Sequence, residues 1–214
     1  MRDDKMIRLN RPPRFGVRAL GYGSRVVVWV QGCTLACPGC IQRDSWPVDG
    51  GELVGVEALA DRIVSEPGMA GLTVSGGEPF QQPLALRDLL RQVRERTSGQ
   101  FDIVVYSGYL LSTLRLRHAD VLAAVDVVID GRYRQLDLTD KPLRGSGNQR
   151  VHRLTALARH RYTDADDPAS RVPPQLALTG ASDIELYGTP TASELRALEL
   201  SLADHGLTGD LSWR

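Results

Sequence analysis

Short apolar runs rich in Val and Ile alternate along this chain with stretches whose apolar residues recur at helical spacing. Residues 26–30 (VVVWV) read as a buried strand. Residues 52–66 read as a helix, and residues 71–75 as a short strand running directly into Gly76-Gly77. Leu86, Leu89, Leu90 and Val93 then stand at i, i+3, i+4 and i+7, one face of a helix. A strand over 101–106, a helix around 110–117 and a strand over 125–130 follow. Strands separated by helices of this length argue for right-handed βαβ units and a parallel sheet.

Beyond residue 130 the pattern changes. Residues 131–150 are irregular, polar and Gly-rich, too long for a simple connection and therefore functional or mobile. Residues 162–174 (YTDADDPASRVPP) read as a linker, 183–187 as a strand, and 191–205 as a helix. That helix opens on a capping box, Thr191 with Glu194, and stops at Gly206. The expected fold is α/β: an open layer or partial (β/α)6-type barrel of about six parallel strands, with an extra C-terminal strand–helix unit. One domain is expected, with its core in residues 1–160 and the linker and extension in 161–214.

Composition narrows the class. The 26 basic and 26 acidic side chains cancel, and a pI near 6.9 gives no reason to expect nucleic acid or another polyanion as partner. No apolar run approaches the ~18 residues of a membrane span. The N-terminal MRDDKMIRLNRPPR mixes charges and has no apolar segment of the secretory kind. All three cysteines, Cys33, Cys37 and Cys40, fall within eight residues. An odd count cannot be fully paired into disulfides, so a cytoplasmic protein is expected.

The cysteine loop, GCTLACPGC, follows directly on the first strong strand. Its C-x3-C-x2-C spacing lets one loop wrap three thiolates around an inorganic centre, with Pro38-Gly39 supplying the turn between the last two. Thiolates suit zinc or an iron–sulfur cluster. A structural zinc site closes with four protein ligands, and His118, His152, His160 and His205 all lie more than 70 residues downstream. A Cys3His site folding across the chain, or three unligated buried thiols, are the bland alternatives. A four-iron cluster held by three thiolates instead leaves one iron open to a substrate or cofactor.

After the second strand stands Ser75-Gly76-Gly77-Glu78-Pro79, after the third Tyr106-Ser107-Gly108-Tyr109, and after the fourth Asp130-Gly131-Arg132. Each read alone is a strand-end turn. Glycines permit close approach of a ligand to backbone, Glu78 offers an acceptor to an ammonium, and an Arg132 fork suits a carboxylate. Further on come Arg144-Gly145-Ser146-Gly147-Asn148-Gln149-Arg150 and, just after the cysteine loop, Ser45-Trp46.

In this order the motifs resemble the radical S-adenosylmethionine superfamily, and within it the activating proteins of anaerobic ribonucleoside-triphosphate reductase, over roughly residues 15–153. The resemblance implies a 4Fe-4S cluster on Cys33, Cys37 and Cys40, with an open iron chelating the methionine moiety of S-adenosylmethionine. Reductive cleavage of the sulfonium then yields a 5′-deoxyadenosyl radical. It further implies that Gly76, Gly77 and Glu78 position the methionine end, helped by Ser107, Asp130 and Arg132, while Asn148 and Gln149 line the adenosine side. The implied partners are a glycyl radical enzyme (anaerobic ribonucleotide reductase) and a flavodoxin or ferredoxin-type electron donor. A radical enzyme acting on another peptide or a small molecule is the second reading, and a non-catalytic iron–sulfur or zinc module the third. Two features depart from the family: Gly21-Tyr22-Gly23 stands where a GPG turn is usual, and about 60 residues follow the NQ strand.

Overall fold

The structure, a computed structural model, describes residues 5–179 and 183–206. A seven-stranded sheet runs in the order β3-β1-β2-β4-β5-β6-β7. Its strands are β1 (Met6–Val17), β2 (Arg25–Val30), β3 (Glu52–Gly55), β4 (Gly71–Gly76), β5 (Asp102–Ser107), β6 (Val127–Asp130) and β7 (Arg150–Arg153). The helices that connect and cover them are α1 (Val56–Val64), α2 (Pro83–Arg96), α3 (Leu111–Arg117), α4 (Ala119–Leu122) and α5 (Ala156–Arg161). Four central strands, β2, β4, β5 and β6, run parallel, while β1, β3 and β7 pair antiparallel at the flanks.

The parallel run is thus shorter than the six strands the pattern leads one to expect, because residues 150–153 run antiparallel and residues 183–187 lie in a separate sheet; two flanking strands are also hidden in the sequence. β1 carries Pro12-Pro13 and four arginines or polar neighbours in place of a clean alternation, and its pairing with β2 shifts register three times to accommodate them. β3 falls inside the expected 52–66 helix: Leu53 and Val54 pair with Arg8 and Ile7, and the helix begins only after Gly55. At the other flank, Arg150–Arg153 returns antiparallel along β6.

Both faces of the parallel run are covered, which is why VVVWV is buried throughout. On one face Val26, Val28, Leu72, Val74, Ile103 and Val105 pack against Leu59 and Ile63 of α1 and Leu86, Leu89, Leu90 and Val93 of α2. The other face presents Val104, Val127 and Ile129 to Ala158, Tyr162 and Ala165, and Val27 and Trp29 to Tyr187. Residues 162–174 are therefore not a free linker: Tyr162 and Ala165 are core residues, and the Tyr162 hydroxyl donates to Asp102 at 3.2 Å.

The C-terminal unit also differs from the single strand and helix expected. Residues 183–187 do form a strand, β9 (Asp183–Tyr187), but it pairs with β8 (Gln175–Thr179) in a separate two-stranded sheet. A lone strand leaves its amide edges unpaired, and the hairpin satisfies one of them. α6 (Ala192–Asp204) follows, with both hydrogen bonds of the Thr191/Glu194 capping box in place. The hairpin docks through Arg14, whose Nε and Nη2 reach Glu185 at 2.7 and 2.5 Å, and through stacking of Tyr187 on Trp29 at 5.7 Å.

Beneath the sheet, at the start of β2 and β5, lies a charged pair with no exposure. Arg25 contacts Asp102 at 2.5 Å, donates to Thr73 Oγ1 at 2.7 Å and to the Leu72 carbonyl at 2.7 Å; Arg161 reaches the other Asp102 oxygen at 3.3 Å. Removing one partner strands the other charge in the core. Asp102→Ala is therefore expected to cost about 3–5 kcal/mol in denaturant unfolding. A second prediction concerns the hairpin. Arg14 holds the Glu185 carboxyl below its ordinary pKa through a hydrogen bond. A lowered folded-state pKa contributes stability above the unfolded value of about 4.3, and that contribution is lost as pH falls through the folded value. Amide hydrogen exchange in β8 and β9 is expected to quicken on acidification before that of β4 and β5, after correction for intrinsic rates.

Candidate functional site

The cysteine loop begins where β2 ends. Gly32, at φ +94°, turns the chain out of the sheet. The amides of Gly32 and Cys33 donate to the carbonyls of Ser45 and Trp46 at 2.8 and 3.0 Å, so the loop closes on its own base. Within it, Cys40 N donates to Cys37 O at 3.1 Å across the Pro38-Gly39 turn. Gly39 sits at φ +73°, where an added Cβ would lie 2.5 Å from the Gln135 side chain. Cys37 is buried, Cys33 and Cys40 are half-buried, and all three are free thiols. Burial pushes the Cys33 and Cys40 thiols up from their ordinary pKa.

Two side chains grip the loop from outside. Gln81 accepts from the Thr34 amide at 3.1 Å and donates to Thr34 Oγ1 at 2.7 Å. Arg132 donates to the Leu35 carbonyl. Gln81 escaped the sequence reading; the only signal was its position, three residues after Glu78 in GGEPFQQP.

The turn after β4 lies directly against this loop. Gly77 N donates to Val30 O at 2.8 Å and Glu78 N to Gly32 O at 2.9 Å. A Cβ on Gly77 would stand 2.4 Å from the Gly32 carbonyl oxygen, and one on Gly76 (φ +99°) 2.6 Å from that of Val30. Only glycine fits here. Glu78 itself is 1% exposed, and its carboxyl accepts from the Ser107 hydroxyl (2.9 Å) and from the amides of Phe80 (3.1 Å) and Gly108 (2.7 Å). Burial raises its pKa to about 7, against the lowering effect of those hydrogen bonds. Glu78 and Ser107 thus tie the end of β4 to the end of β5.

At the end of β6 the expected residues separate. Asp130 is buried and turned toward α3: it accepts from the Leu111 amide at 2.6 Å, and its other oxygen lies 3.0 Å from His152 Nε2 on β7. Arg132, by contrast, reaches the cysteine loop. Asn148 Nδ2 donates to the Arg132 carbonyl at 2.9 Å, and Gln149 accepts from the Gly145 amide at 2.8 Å while donating to Gly131 O at 3.0 Å. Asn148 and Gln149 therefore close the 131–149 loop at its neck and hold Arg132 in place.

A cavity of about 170 Å³ opens beside the loop, with Cys40, Ser75, Gly76 and Gln149 in its wall together with the rings of Trp29, Tyr106 and Tyr133. Hollows of about 330 and 540 Å³ lie elsewhere, and neither includes a residue of the cysteine loop. The 170 Å³ cavity adjoins Cys40 and the strand-end turns, where α/β folds hold ligands.

Residues 19–152 match a family model described as a 4Fe-4S single cluster domain. The anaerobic ribonucleoside-triphosphate reductase-activating protein of Escherichia coli K12 is 35% identical over 144 residues, covering 63% of this chain and 91% of that protein. Its counterpart in Haemophilus influenzae is 37% identical over 143 residues, covering 63% and 90%. That of Enterobacteria phage T4 is 36% identical over 136 residues, covering 61% and 85%. The chain belongs to this family of activating proteins. It is a radical S-adenosylmethionine enzyme, with a 4Fe-4S cluster and S-adenosylmethionine as cofactors.

The activating-protein site fits a cluster in its donor chemistry. Three free thiols stand on one short loop, and the wall beside Cys40 is formed by glycine backbone that leaves room for a ligand. Among the described residues no three His, Cys, Asp or Glu side chains converge on one point. No helix among the described residues is long and apolar enough to cross a membrane. Gly77→Ala tests the tight seam between the two turns. The added methyl must displace Gly32, one residue from Cys33, and the variant is expected to retain less iron per chain than wild type after anaerobic reconstitution and desalting.

Proposed function

We propose that this chain generates a glycyl radical on a partner anaerobic ribonucleotide reductase. The observation that carries the reading is the single cavity shared by Cys40, the Gly76 turn and Gln149. Cys33, Cys37 and Cys40 would hold the cluster and leave one iron without a protein ligand. When bound, the cluster supplies one electron for cleavage of the sulfonium of S-adenosylmethionine, from which a 5′-deoxyadenosyl radical abstracts hydrogen from a backbone glycine of the partner.

The chain's own residues bind and orient. Gly76 and Gly77 let the methionine end approach the β4 backbone. Glu78 and Ser107 act on it as positioning residues, since the Glu78 oxygens already accept three hydrogen bonds within the protein. Arg132 holds the cysteine loop through Leu35 and stands ready for a carboxylate. Asp130 supports the start of α3, while Gln149 and its neighbour Asn148 border the adenosine side. We assign the sheet to a partial barrel and residues 161–214 to the same domain as 1–160, because Tyr162, Ala165 and Tyr187 are part of its core. A flavodoxin or ferredoxin-type donor is the reductant we expect. The free thiols suit the cytoplasm, and neither nucleic acid nor a membrane is a partner in this reading.

Anaerobic reconstitution is expected to load about four irons per chain and, on reduction, to release 5′-deoxyadenosine. Cys37→Ala is expected to abolish that release; retention of it would sink the cluster assignment. Mixing the reduced enzyme with a co-encoded reductase should give a glycyl radical signal in electron paramagnetic resonance. Release of 5′-deoxyadenosine without that signal would move the substrate to another peptide or a small molecule.

A further inference from the structure

The C-terminal unit, β8, β9 and α6, lies outside the residues 19–152 that match the family domain. It nevertheless reaches the reaction cavity. Leu186, Gly188, Thr189 and Pro190 line the same 170 Å³ space as Cys40, Gly76 and Gln149. A second, smaller space of about 60 Å³ has Ile41 and Gln42 on one side and Ile184, Leu186 and Leu195 on the other, so the hairpin runs along the segment that leaves Cys40.

The corner is firmly held. Glu185 takes two bonds from Arg14 and a third, at 2.6 Å, from the Tyr187 hydroxyl. Tyr187 is 3% exposed and stacked on Trp29, itself a wall of the cavity. Arg171 donates to Thr189 O at 2.9 Å and pairs with Glu194 at 2.6 Å, which fixes the turn into α6. Gly188, at φ +126°, lets that turn lie against Ala19 and Pro174.

The character of the lining selects the occupant. Among the described residues around the cavity there is no Asp, Glu, Lys, Arg or His; the aromatic side chains of Trp29, Tyr106 and Tyr133 stand in its wall with the hydrogen-bonding side chains of Gln42, Ser75, Gln149 and Thr189. A charged amino acid end would find no counter-ion on the hairpin side, formed by Leu186, Gly188, Thr189 and Pro190. A flat, neutral heteroaromatic ring bearing hydroxyls would find aromatic side chains and hydrogen-bonding groups in the wall. We propose that the C-terminal corner is a specificity wall of the reaction chamber, in which Leu186, Thr189 and Pro190 bound the space for the nucleoside end of S-adenosylmethionine. The occupant rests on the function proposed above; the wall does not.

The test reads the wall first, in the reduced, cluster-free full-length chain. Thr189→Trp fills the space and is expected to slow alkylation of Cys40 by iodoacetamide at least about fivefold, with Cys33 within about twofold of wild type. Glu185→Gln, which removes the charge from the Arg14 clamp, is expected to speed Cys40 selectively. Rates of Cys40 and Cys33 that move together, or not at all, in both variants would overturn the wall. In the cluster-loaded chain, Thr189→Trp is expected to weaken equilibrium binding of S-adenosylhomocysteine about tenfold at unchanged iron content. Unchanged binding beside a slowed Cys40 would overturn the nucleoside as occupant. A wild-type chain that shows the alkylation differences yet releases no 5′-deoxyadenosine would defeat the proposed function and leave the wall standing.

Discussion

Everything at the mouth of this protein is registered from one close approach, between the backbone leaving β2 and the backbone leaving β4. The amides of Gly77 and Glu78 donate to the carbonyls of Val30 and Gly32, at a separation that only side-chain-free residues permit. That seam sets the height of the cysteine loop above the sheet. It also drives Glu78 into the interior, where the carboxyl must find its partners within the protein. It finds them at the end of β5, and so three neighbouring strand exits are tied through one residue, β2 by its backbone amide and β5 by its side chain. The cost is legible in the carboxyl's pKa near 7: three hydrogen bonds do not fully offset its removal from water.

The sheet below is built to hold that mouth rigid. Its parallel strands are apolar on both faces and sandwiched between α1 and α2 on one side and α5, residues 162–165 and the C-terminal hairpin on the other. At the opposite end, the buried Arg25–Asp102 pair and its neighbours join β2, β4, β5 and α5 through groups that can be satisfied only in this arrangement. The strands are therefore pinned at the foot by charge and at the mouth by backbone, with close-packed Val, Ile and Leu between.

Much of the candidate site was readable before any coordinate, because its chemistry is local. The three cysteines, the Gly76-Gly77 turn and Ser107 all sit at strand ends that hydrophobic runs mark out. Their partners were less readable. Glu78 looked like a free acceptor and proves to be a fully engaged brace; Asp130 looked like a companion of Arg132 and turns instead to Leu111 and His152. Gln81 carried no signal beyond its place in the chain. Each of these depends on which element lies opposite, across distances of 19 to 47 residues in sequence.

The same division runs through the fold. Periodicity alone located β2, β4, β5, β6 and α2, since a run of Val and Ile or an i, i+3, i+4 stripe is a property of the segment itself, and the capping box placed the start of α6 for the same reason. β1 with its two prolines, the β3 edge strand and the β8–β9 pairing have no such local signature. They exist because a neighbouring backbone offers unpaired amides and carbonyls, and that neighbour is specified only once the chain has folded. Sequence determined what chemistry the cysteine loop carries; tertiary structure decided that a C-terminal hairpin should stand beside it, because Trp29 had an aromatic face to bury and Tyr187 covers it.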